Sequence, residues 1–291
     1  MTISLESIIR PTRDILQASK DLSGAEIRFL VDQYYQFQKQ RMGSSNQIRS
    51  IDQGADEGPP EHLTLTWLNE QTTMMETQLK RAMDVYVDSL AIGKWLRGVY
   101  GIGPVLAAGL CAHIDITKCP TVGHIWRFAG LDPTMVWAKG QKRPHNATLK
   151  TLCWNVGQSF MKFSGRPECL YGDLYRKRKE MENERNDAGG NAVKAADILA
   201  AKPTHAQRAI YAAGKLPPGQ IDARARRYAV KQFLSDMHAI WYREHFEQEP
   251  PKPYPIAIMG HAHHRQPFND GAKWAPHLDH NNAADGAPSH E

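Results

Sequence analysis

Apolar positions recur at spacings of three and four along most of the chain, which predicts helices, and no stretch reads as a repeated strand-helix-strand unit. The first twenty residues carry only a weak pattern, broken by Pro11. From Ser23 the signal sharpens. Ser23 and Glu26 form a capping-box pair, and Ile27, Leu30, Val31, Tyr34, Tyr35 and Phe37 give an apolar stripe that runs to about Arg49. A breaker-rich loop from Asp52 to Pro60 separates this helix from a longer one over Leu63 to Val99. In the longer helix Leu65, Leu68, Met75, Leu79, Met83, Val87 and Leu90 are spaced like a coiled-coil seam. The pair predicts an antiparallel helical hairpin, suited to a stalk or a dimerisation arm.

The pattern changes at Gly101-Ile102-Gly103. Two glycines can take positive φ or let backbone approach a partner, and Ile102 between them can point into a core. Leu90, Ile92, Trp95, Leu96 and Val99 precede this turn at helical spacing. Pro104 follows as a first-turn proline, ahead of Val105, Leu106, Ala107, Ala108 and Leu110. Helix, tight turn and helix together place free backbone amides and a positive dipole end where a phosphate could sit. The bland alternative is a turn between two packed helices.

Beyond the turn, short helices or helix-length stripes are predicted over Val122 to Ala129, Ala147 to Phe163, Leu170 to Asn186 and Ala192 to Ala201. A long amphipathic helix is predicted over Ile221 to Phe246, with Arg224, Arg226, Arg227 and Lys231 near its start. From Glu247 the density of Pro, Gly, His and Asn predicts little regular structure. The expected fold is mainly α, with an N-terminal helical hairpin or coiled-coil-like arm (1–90), a helix-hairpin-helix domain (91–186), a helical extension (187–246) and an irregular tail (247–291).

Charge sharpens this picture. The 291 residues carry a net charge of only +5, but Ile92 to Asn186 holds fifteen Lys/Arg against seven Asp/Glu, leaving the remainder slightly acidic. A basic middle points to a polyanionic partner. The run Arg176-Lys177-Arg178-Lys179 is either part of that surface or a solvated face compensated by nearby glutamates. Cys111, Cys119, Cys153 and Cys169 have no disulfide-framework spacing, and no signal peptide or membrane-length apolar run is read, so a reducing cytoplasm is expected and a membrane partner is not.

Three segments in order, Gly101 to Ala108, Trp126-Arg127-Phe128-Ala129-Gly130-Leu131-Asp132-Pro133, and Gly140 through Asn146 to Leu152, resemble the C-terminal domain of the bridge-RNA-guided insertion-sequence transposases, the "IS one-ten" group. The resemblance covers about residues 92 to 163. It implies a nucleic-acid partner and a mobile-element or phage origin. It also implies features this chain departs from. Residues 1–90 offer helices where that family has a metal-binding RuvC-like domain, and the position of the family's nucleophilic serine falls near Lys142, with Thr134, Thr148, Ser159 and Ser164 the nearest hydroxyls.

The favoured constellation is Trp126, Arg127, Trp137, Lys139, Lys142, Arg143, His145 and Lys150, whose cations neutralise phosphates while an aromatic ring stacks on a base. With the turn it gives the expected nucleic-acid-binding residues: Gly101, Ile102, Gly103, Arg127, Trp137, Lys139, Lys142, Arg143, His145 and Lys150. Other constellations are weaker. Cys111, His113, Cys119 and His124 have zinc-compatible types without a familiar spacing, and Tyr171 and Tyr175 at i and i+4 read as packing residues rather than recombinase nucleophiles. His261, His263 and His264 could chelate a divalent ion at the cost of ordering the tail. The sequence therefore reads as a protein that binds DNA, ahead of structured RNA, as an oligomer formed through its N-terminal helices. No catalysis and no cofactor are expected. An active transposase, recombinase or metal-dependent nuclease is the first alternative, and a helical protein adaptor the second.

Overall fold

A computed structural model describes residues 11, 13–54, 62–202, 206–251 and 267–268. The described residues are mainly α, with eleven α-helices and no strand among them. They fall into two compact units: residues 1–97 with 103–115, and residues 98–102 with 116–291. The helices of the predicted 91–186 domain are thus shared between the units. The expected tail, including His261, His263 and His264, lies almost entirely outside the described residues.

In the first unit, α1 (Arg13–Ala18) starts just after Pro11, so that proline precedes a helix rather than preventing one. A 3-10 turn leads to α2 (Gly24–Gln53), whose first turn is closed by the capping box: the Glu26 amide donates to Ser23 Oγ, and the Ser23 amide donates to Glu26 Oε2. Helix α3 (Leu63–Ser89) returns antiparallel. Arg41 pairs with Glu76 at 2.9 Å, Asn69 Nδ2 donates to Ser44 and Ser45 at 3.0 and 2.7 Å, and His62 meets Asp52 at 3.2 Å. As the number rises on one helix it falls on the other, which is the register of an antiparallel pair.

The long helix predicted to Val99 ends ten residues early. Leu90 is extended, and the chain restarts as α4 (Gly93–Gly98). The cause is a close approach at Gly93, where a Cβ would fall 1.7 Å from the Val87 carbonyl oxygen. Helix α5 (Pro104–His113) is apolar on nearly every side, as suits a helix buried against both α2 and α3. Ile27, Val31, Met83, Val87, Leu96, Ala108 and Leu110 form this core. Arg28 donates to the Ala112 carbonyl at 2.5 Å, so a cation meets the negative end of α5.

The second unit is organised by α11 (Pro218–Phe246), which packs on α6 (Val122–Phe128), α7 (Ala147–Lys162) and α8 (Leu170–Asp187). Phe160, Tyr171 and Phe233 pack as a ring trio with centroids 5.0 to 5.5 Å apart. The buried Tyr171 hydroxyl donates to Asp236 at 2.7 Å, and the Tyr175 hydroxyl donates to Asp222 at 2.5 Å. Helices α9 (Ala192–Ala201) and α10 (Arg208–Ala212) add a satellite core of Ala195, Tyr211, Leu216 and Ile221.

Candidate functional site

Helix α6 ends at Phe128, and the chain makes a loop before α7 begins at Ala147. Both loop ends are fixed at one place. The Leu131 amide donates to the Trp126 carbonyl at 2.8 Å and the Asn146 amide to the Phe128 carbonyl at 2.9 Å, while Asn146 Oδ1 caps α7 by accepting from the Leu149 amide. Gly130 has φ +65°, and a Cβ there would lie 2.9 Å from the His145 ring, so only glycine fits both the conformation and the space.

Within the loop, Asp132 Oδ1 accepts from the Thr134 amide and hydroxyl at 2.9 and 2.7 Å. These bonds, reinforced by Arg127 and Lys231, hold the Asp132 carboxyl below its ordinary range. The Trp137 indole N–H donates to the Gln141 carbonyl at 2.8 Å, and the Arg143 guanidinium lies 5.8 Å from the ring centroid. Trp137 remains 46% exposed.

Behind the loop is a cavity of about 420 Å³ lined by Gly130 to Pro133, by Lys150, Cys153, Trp154 and Gly157 of α7, and by Ala223, Arg226, Arg227 and Val230 of α11. The two helices come close here, since a Cβ on Gly157 would stand 3.2 Å from Val230 Cγ2. Trp154 is 58% exposed. Burial pushes the Cys153 thiol up to about 12, so the cavity floor is an unreactive thiol.

The electrostatics favour an anion. Lys231 lies over the half-buried Trp126 ring, and burial lowers its pKa against the opposing pull of Asp132. Burial also lowers the Arg227 pKa, helped by its neighbours Arg224 and Arg226. His145 is lowered by burial and then by Lys150 and Arg143. Among the described residues Lys150, Arg227 and Lys231 form no ion pair. The like charges of Arg224 and Arg226 add to the lowering at Arg227, and a bound phosphate would relieve that repulsion.

The residues expected from sequence do not form one cluster. Arg143 and Trp137 come together, as do His145, Lys150 and Gly130 at the loop base; Arg127 acts on Asp132 from the end of α6. Lys139 and Lys142 are exposed on the loop. The turn lies elsewhere. Gly101 has φ +95°, and its carbonyl accepts from Ser159 Oγ at 2.5 Å, nine residues and about 14 Å along α7 from Lys150. The Ile102 amide is taken up by the Val99 carbonyl at 3.0 Å, and its side chain is buried. Gly103 has φ −89° with open space around it and no side-chain cap on the helix it starts.

The alternative constellations are also placed. Arg176 and Lys177 pair with Asp173, Arg178 with Glu182 and Lys179 with Asp222, so the four-cation run is a compensated face. Cys111 and His113 lie on α5 of the first unit, whereas Cys119 and His124 belong to the second. No group of three metal-ligating side chains gathers among the described residues. Ser164 Oγ donates to the Met161 carbonyl at 2.8 Å, and the Ser159 and Thr134 hydroxyls are engaged as above. Among the described residues no helix is long and apolar enough to cross a membrane.

Asp132, Trp154, Arg226, Arg227 and Lys231 are site residues outside the set expected from sequence. One local signal existed for Trp154. It follows Lys150 by four residues, so the two share a helix face. Arg226 and Arg227 join them only through the packing of α11 on α7, some seventy residues on. Compared with protein-family models, with curated proteins and with solved structures, the chain finds no match.

Proposed function

We propose that this chain is a cytoplasmic nucleic-acid-binding protein of mobile-element or phage type that engages DNA, ahead of structured RNA, through its basic aromatic loop and the adjoining cavity. The observation that carries the reading is the cavity wall, where Lys150 and Arg227, neither ion-paired among the described residues, share one lining with the exposed ring of Trp154, while the loop presents the exposed ring of Trp137 beside Arg143. Phosphates satisfy the cations and bases stack on the rings, whereas an acidic protein surface would need only the charges. The resemblance of three ordered segments to the bridge-RNA-guided transposases supports the same partner. The turn at Gly101 to Gly103, which leaves α5 without a side-chain cap, is a separate candidate phosphate contact. The proposed role is binding: burial pushes the cavity thiol up, and the Thr134 and Ser164 hydroxyls serve local turns. Self-association through α2 and α3 is part of the proposal, supported by exposed Phe29, Met42, Trp67 and Leu68.

The test compares the wild-type chain with Gly103→Asp/Lys142→Ala/Arg143→Ala by fluorescence anisotropy on duplex DNA, single-stranded DNA and an RNA hairpin over a salt series. Gly103→Asp fits the open space and helix start, so the fold is kept while a negative charge enters the turn. The expected result is at least tenfold weaker binding and a salt slope shallower by about two, for two lost phosphate contacts. Unchanged affinity with unchanged far-UV circular dichroism would sink the proposal.

A further inference from the structure

The basic loop explains attraction to a phosphate backbone, but it does not explain why a walled cavity opens behind it. At about 420 Å³ the cavity lies in the lower part of the range of small-ligand sites, roughly 300–1,000 Å³, and it is far too small to admit a duplex. Its wall carries three different kinds of group. Trp154 presents an exposed indole on α7. Lys150 and Arg227 are exposed cations on α7 and α11 that also line the cavity, which places them toward its mouth. Asp132 contributes a carboxylate whose Oδ1 is already occupied by the two donors of Thr134, leaving Oδ2 to accept from a ligand.

An aromatic face, a hydrogen-bond acceptor and a pair of cations match the three parts of a nucleotide: the base plane, the N–H groups on the base edge, and the phosphate. A free phosphate or a sugar phosphate would leave Trp154 and the Asp132 carboxylate without a role, and an acidic peptide would be repelled by Asp132. Within intact duplex the base plane is hidden by stacking and the edge by pairing, so only an unstacked nucleotide can present all three.

We propose that the Trp154 cavity receives a single unpaired nucleotide of the bound strand, with the base against Trp154, its donor edge on Asp132 and its 5′ or 3′ phosphate between Lys150 and Arg227. This rests on the nucleic-acid reading above and adds to it a preference for bulged, flipped or single-stranded positions. Guanine suits the site, because its N1–H and amino group lie side by side and either can donate to Asp132 Oδ2.

The experiment uses the full chain with four fluorescent probes: a fully paired duplex, the same duplex with one extrahelical guanosine, the same duplex with an abasic residue in the bulge, and free dGMP. Each is measured against wild type, Trp154→Ala and Trp154→Phe. Trp154 is mostly solvated, so neither change removes a core residue. The expected result is about tenfold tighter binding of the guanosine bulge than of the paired or abasic duplex, a ratio that falls to about one in Trp154→Ala and is largely restored in Trp154→Phe. Equal affinity for bulged and paired duplex, or a bulge preference that survives Trp154→Ala, overturns the nucleotide pocket while leaving nucleic-acid binding intact. Binding of dGMP as tight as that of the bulge overturns the in-strand source in favour of a free nucleotide. No binding to any of the duplexes overturns the nucleic-acid reading itself.

Discussion

The Lys231 ammonium sits 4.1 Å from the centroid of the Trp126 ring, on the face of α11 that meets α6. The pair stands beside the loop base, where Lys231 also acts on Asp132. Burial has already lowered the lysine's pKa, so removing the charge while keeping the aliphatic stem should cost little. Lys231→Met should therefore melt within a few degrees of wild type while binding duplex DNA more weakly at low salt. A melting temperature lowered by ten degrees or more would show that the cation–π contact, worth about 0.5–2 kcal/mol in general, is only part of what Lys231 contributes to the fold.

The two glycines of the turn should behave differently. Gly101 adopts φ +95° against Ser159 and Phe160, so Gly101→Ala should destabilise by about 1–3 kcal/mol. Gly103 has ordinary φ and open space, so Gly103→Ala should change stability by less than about 0.5 kcal/mol. Urea denaturation of both variants checks the contrast.

Buried His238 carries a third prediction. Its Nε2 lies 2.8 Å from the Cys119 carbonyl, and burial, with a smaller contribution from His124, lowers its pKa from the ordinary 6.5. A group whose folded pKa is depressed binds its proton more readily when unfolded, so stability is fully present above pH 6.5 and declines as pH falls below it. His113 and His145 are shifted the same way and add to that slope. His238→Gln should flatten the loss of stability between pH 6.5 and 5, measured by urea midpoints at each pH; an unchanged profile would assign the slope to the other histidines.

What the sequence disclosed follows from where the information lies. Helices α2, α7 and α9 were legible because their apolar stripes and, for α2, the Ser23–Glu26 box are local features, and α2 runs only four residues past its expected end. The break at Leu90 was not, because nothing in the seam of Leu79, Met83 and Val87 announces that Gly93 must approach the Val87 carbonyl. Five-residue α10 is too short to carry a period. At the site, the loop cations were readable as composition. Their division was not: the turn at Gly101 docks near Ser159 while the loop closes near Lys150, and the cavity between α7 and α11 exists only once those helices pack.

The paired anchors at Leu131 and Asn146 give the intervening segment an independence the helices lack. Entry and exit meet beside Gly130 and His145, so α6 and α7 keep their relation whatever path the chain takes between them. Such a segment can be lengthened, shortened or exchanged at the entropic cost of a surface loop alone. On the proposed function, recognition and scaffold would then diverge at different rates, with new ligand preferences written into residues 132–144 while the helical frame is inherited unchanged.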